Sequence, residues 1–70
     1  MNFWTLANGE WVRTDNATGY NLSVSRAGYR GIIMWDVRDR DLRLVASGEI
    51  DGRESVAAGK EAADAAAREG

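Results

Sequence analysis

Asp36, Asp39 and Asp41 stand close together and are the first residues to test for acid–base or divalent-metal chemistry. General acid–base catalysis needs a carboxyl group in a tuned environment, and a divalent cation needs several oxygens converging on one point. On a strand end and a hairpin tip, these three carboxylates point in differing directions, and Arg38 and Arg40 interleave with them and neutralise them. They read as a solvated turn. The serines have no histidine and a single lysine to activate them, so no nucleophile–base pair is legible. The chain has no cysteine and no histidine, which excludes disulfides, thiolate or imidazole metal ligation and imidazole proton transfer. Gly48, Gly52 and Gly59 have neither Walker nor dinucleotide spacing. The chain is therefore read as non-catalytic, with no cofactor and no metal.

The elements that must position any other site follow from the alternation of apolar residues. Seventy residues allow one domain. Gly31 to Ile50 holds two strand-like runs around the charged junction Arg38–Asp41, the signature of an antiparallel hairpin. Ile33, Trp35 and Val37 alternate onto one face, and Leu42, Leu44, Ala46 and Ile50 are expected to do the same. Tyr20, Leu22 and Val24 alternate with Asn21, Ser23 and Ser25, a strand with one apolar and one wet face. Upstream, Asn8-Gly9 is a strong type I′ turn signal, because both central residues need positive φ. It pairs Ala7 with Glu10 and Leu6 with Trp11, placing Trp4, Leu6, Trp11 and Arg13 on a common face.

Downstream, Asp51 with Glu54 three residues on reads as a capping box opening a helix over residues 52–69. Its inner stripe is almost entirely small: Ser55, Val56, Ala58, Gly59, Ala62, Ala63, Ala66 and Ala67. A small stripe lets helix and sheet backbones approach closely, so the large side chains come from the sheet. Lys60 with Asp64, and Asp64 with Arg68, stand at i,i+4 on the opposite side. The expected architecture is α+β: an antiparallel sheet of four to five short strands packed against one C-terminal helix. It comprises an N-terminal hairpin (3–13), further strands (20–50) and the helix.

Three surfaces are candidates for function. Ile32 and Met34 are apolar on the side of their strand away from Ile33 and Trp35, so they need a second cover. The N-terminal hairpin, which carries Trp4 and Trp11, or a second copy of the chain is expected to supply it. Trp4, Trp11, Ile32 and Met34 are thus the expected protein interface, most simply of a homodimer. Arg26, Arg30, Arg38, Arg40 and Arg43, with Tyr29 and Trp35 among them, form a second candidate, a rim suited to nucleic acid or to a partner protein. Here Tyr29-Arg30-Gly31, the strand bearing Trp35, the arginine–aspartate turn and the alanine-rich helix distantly resemble the plant apetala-type DNA-binding domain. That resemblance implies sheet-mediated reading of the major groove, with Arg38 and Arg43 on the reading face. The interleaved acids Asp36, Asp39 and Asp41 would meet phosphates unfavourably.

The third surface is an acidic contact face of Glu54, Glu61 and Asp64. Residues 44–70 hold six acids against three bases, a balance that could imitate nucleic acid in the manner of small phage-encoded inhibitors. The whole-chain net charge of −2 forces neither a nucleic-acid nor a membrane partner. Asn16-Ala17-Thr18 and Asn21-Leu22-Ser23 match the glycosylation acceptor pattern, which arises easily by chance. No apolar run reaches the ~20 residues of a membrane span, and the first residues do not read as a secretion signal, so the expected location is cytoplasmic.

Overall fold

The computed structural model describes residues 3–27 and 31–69. Five strands, β1 (Thr5–Ala7), β2 (Glu10–Thr14), β3 (Asn21–Arg26), β4 (Ile33–Arg38) and β5 (Leu44–Ile50), precede one helix, α1 (Val56–Glu69). The strands form one antiparallel sheet in the order β1-β2-β3-β4-β5, so each strand lies beside its neighbour in sequence. The helix crosses one face of the sheet.

Local chemistry explains most of these elements. Asn8 and Gly9 have φ of 51° and 80°, and the turn pairs Ala7 with Glu10 and Leu6 with Trp11 as its type requires. Between β2 and β3, the Asp15 carboxylate accepts bonds from the Thr18 N–H (3.2 Å) and hydroxyl (2.7 Å), while Gly19 takes φ of 78°. In the β4–β5 turn, the Asp39 carboxylate accepts from the N–H groups of Asp41 (2.9 Å) and Arg43 (3.0 Å). Leu42 holds φ of 65° in the same turn.

The core lies between α1 and the sheet. Leu22, Val24, Ile33, Val37, Ala63 and Ala67 are buried, with Trp4, Trp11, Tyr20, Trp35, Ala46, Ile50, Val56 and Ala66 packed against them. The small helical stripe has the expected purpose. A Cβ at Gly59 would lie 2.8 Å from Val24 Cγ1 and 2.9 Å from Ile33 Cγ2, so glycine sets the depth of contact. A Cβ at Gly48 would lie 2.6 Å from the Trp35 ring, which lies over that strand position.

Three expectations change. Leu42 lies in the β4–β5 turn and is 62% exposed instead of joining the inner face of β5. Leu44 is 55% exposed instead of buried. Val37 pairs with Ala46 but Arg38 pairs with Leu44, so Val45 is an extra residue in β5 and the alternation breaks there. Leu44 and Val45 both face solvent as a result. The helix also begins at Val56, later than the expected 52. The Asp51 carboxylate bonds the Arg53 N–H (3.0 Å) and pairs with the Arg53 guanidinium (2.8 Å), while its carbonyl accepts from the Glu54 N–H (2.9 Å). Those local bonds close a separate turn instead of a capping box. Glu54 stays outside the helix.

Candidate interaction surface

The sheet register divides the expected Trp4, Trp11, Ile32 and Met34 interface between two faces. Trp11 stands opposite Val24, which stands opposite Trp35, all on the face covered by the helix. Trp4 and Trp11 pack against the core there, beneath Lys60, whose Nζ lies 3.7 Å from the Trp11 ring centroid and 5.8 Å from that of Trp4. Beside them the Arg13 guanidinium donates to Asp64 at 2.7 Å. Lys60 and Asp64 therefore reach sideways to the hairpin, instead of pairing along the helix, because the aromatic shelf and Arg13 lie within their span. The two tryptophans are half-buried there.

Ile32 and Met34 lie on the other, open face, 47% and 40% exposed. The N-terminal hairpin joins the sheet at its far edge and does not cover them. Sequence reasoning missed the residues that accompany them: Leu42, Leu44 and Val45 are also exposed at the β4–β5 side. The signal for Leu44 and Val45 was the bulge, which alternation counting does not detect. A shallow trough between β4 and β5, lined by Met34, Asp36, Arg38, Leu44, Ser47 and Glu49, joins the two apolar ends across a polar midsection.

This surface is continuous with a sheet edge. In an edge strand about half the backbone N–H and C=O groups point away from the neighbouring strand. β5 is seven residues long, whereas β1 at the other edge has only three. β5 contains no proline or lysine to discourage pairing, although Glu49 and the bulge at Val45 restrict it.

The arginine rim is also divided. Arg26 lies where β3 ends, and its guanidinium donates to the Gly52 carbonyl (2.9 Å) and the Glu54 carbonyl (3.2 Å), strapping the loop that leads into the helix. Arg38 lies at the opposite end of the sheet, donating to the Leu42 carbonyl at 3.1 Å, and Arg40 and Arg43 belong to the adjoining turn. The Arg40 side chain lies against Gly19. Tyr29 and Arg30 lie outside the described residues. The acidic face separates too: Glu54 is in the loop, Asp64 is turned to Arg13, and Glu61 alone of the three is an exposed helical acid.

The carboxylates near the β4–β5 turn diverge. Asp36 accepts the Ser23 hydroxyl at 2.9 Å on the open face, whereas Asp39 closes the turn. Among the described residues there is no group of three or more metal-ligating side chains. The groups with shifted acidity serve the loops. Thr18 holds the Asp15 carboxyl below its ordinary range, chiefly through its hydroxyl, and Arg53 does the same for Asp51. No helix among the described residues is long and apolar enough to cross a membrane.

No protein-family model, curated protein or solved structure matches the chain.

Proposed function

We propose that the chain is a non-catalytic protein-interaction module, working in the cytoplasm, whose β4–β5 side binds a second copy of itself. The observation that carries the reading is the exposure of Ile32 and Met34 at one end of the open β4–β5 face, and of Leu42, Leu44 and Val45 at the other, beside the long free edge of β5. Leu42 adds a second argument. Its left-handed backbone suits glycine, and a leucine there costs about 1–2 kcal/mol. Its side chain is nevertheless 62% exposed, so it returns little of that cost within the monomer. Burial against a partner would offset it. A small domain also gains proportionally more from assembly than a large one.

The arrangement of charges favours this reading over nucleic-acid binding. Arg26 is committed to a loop, and Arg38, Arg40 and Arg43 are mixed with Asp36, Asp39 and Asp41 at the other end of the sheet. A backbone-binding surface needs a basic stripe that phosphates can follow.

Solution mass by light scattering over a wide concentration range tests the proposal. The mass should rise from monomer to dimer with concentration, and Leu44→Glu should remain monomeric with an unchanged fold. Leu44 stands opposite Arg38, so the new carboxylate meets a cation within its own sheet. A wild-type chain that stays monomeric at every concentration would overturn the proposal.

A further inference from the structure

We propose that β1 and β2 form a separately opening unit, which Lys60 and Asp64 of α1 latch onto the rest of the fold. Among the described residues, the buried core residues Leu22, Val24, Ile33, Val37, Ala63 and Ala67 come from β3, β4 and α1, and none from the N-terminal hairpin. The backbone of α1 runs close over β3, β4 and β5, but over neither β1 nor β2. Trp4 and Trp11 rest half-buried at the margin of the core, and Leu6, which pairs with Trp11, is 58% exposed. Between hairpin and helix, an open cleft of about 580 Å³ runs along Trp4, Arg13, Thr18, Asp64 and Arg68. Close packing therefore holds the helix to β3, β4 and β5, whereas side chains reaching over a gap hold it to the hairpin.

Two of those side chains stand about one helical turn apart and carry opposite charge. The Lys60 ammonium lies 3.7 Å from the centre of the Trp11 ring, and the Asp64 carboxylate accepts from the Arg13 guanidinium at 2.7 Å. Both contacts grip β2, the strand that ties the hairpin to the sheet by pairing Trp11 with Val24 and Arg13 with Leu22. Once they are lost, the β2–β3 ladder and the margin of the aromatic shelf alone retain the hairpin. Leu22 and Val24 still keep Val37, Trp35 and the helix beside them. Two charges on α1 thus set how often the hairpin opens, and opening bares the edge of β3 that the closed form hides.

Native-state hydrogen exchange, at a concentration low enough to keep the chain monomeric, tests the latch. In wild type, the protected amides of β2 should respond more weakly to added urea than those of β4, because opening the hairpin exposes less surface than global unfolding. Ile33→Val weakens the core with the hairpin open or closed, so it should speed exchange in β4 roughly threefold or more and leave β2 at the wild-type rate. Lys60→Gln and Asp64→Asn should each speed β2 roughly fivefold or more. Lys60→Arg keeps a cation over Trp11 and should stay near wild type. Exchange in β2 that follows β4 both in urea and in Ile33→Val would show one cooperative unit and overturn the proposal. Rates in β2 that ignore the double variant K60Q/D64N would overturn the latch. Should that variant fail to fold, the wild-type and Ile33→Val measurements still decide.

Discussion

The N-terminal hairpin and the β4–β5 hairpin are both amphipathic, but the position of the helix gives them opposite uses. Trp4, Trp11 and Arg13 on the first are engaged by Lys60 and Asp64 of α1, and that edge ends in a three-residue strand. The second shares its inner residues Ile33 and Val37 with the core, yet leaves Met34 of β4 exposed, with Leu44 and Val45 on the seven-residue edge strand β5. Aromatic content is thus a poor guide to exposed apolar surface at these two hairpins. Which face the helix covers decides whether a large side chain holds the fold or remains available.

The largest expected effect breaks both regions at once. Ile33 is fully buried beneath Gly59, and Ile33→Ala should cost about 2–5 kcal/mol. A chain of this length has about 4–10 kcal/mol in total, so urea denaturation should show a midpoint shifted far down or no transition. Arg13→Ala should destabilise by about 1–3 kcal/mol, because it removes a charge-assisted bond and leaves the half-buried Asp64 carboxylate without its donor. The same measurement should find Leu44→Glu within about 0.5 kcal/mol of wild type, as expected for an exposed position that contributes to assembly alone.

Acid should distinguish the regions further. The Asp15 carboxyl has a folded pKa below its ordinary 3.8, chiefly through the Thr18 hydroxyl, with help from Arg13. The folded state binds the ionised form more tightly, so this contribution is fully present above the ordinary value and is lost as pH falls through the lowered one. Melting temperature should therefore decline below about pH 4, with a shallower decline in Asp15→Asn. In the β4–β5 turn, Leu42→Gly should raise monomer stability by up to about 1 kcal/mol, since relief of left-handed strain is partly offset by the entropy of glycine. It should also weaken association by removing an exposed apolar side chain. Stability and assembly would then move in opposite directions at one residue.

The sequence made the fold legible wherever local chemistry and burial agreed. Asn8-Gly9 set the register of the first hairpin, the Leu22–Val24 alternation marked the inner face, and the alanine stripe anticipated the close helix. Leu44 was misplaced because a single extra residue reverses every side chain beyond it, and no residue type announces that insertion. The helix start was misplaced because Asp51 could cap a helix or close its own turn, and Arg53 favours the turn. The proposed surface was half legible. Ile32 and Met34 stood out as doubly apolar, but the division of the tryptophans from them depends on long-range register and on where α1 crosses the sheet.

Amide hydrogen exchange followed as a function of protein concentration tests the central claim most directly. Protection in Ala46–Ile50 of β5 should rise as the chain associates, while Thr5–Ala7 of β1 stays as it is in dilute solution. Association without added protection in β5, or with protection gained in β1 instead, would contradict the account.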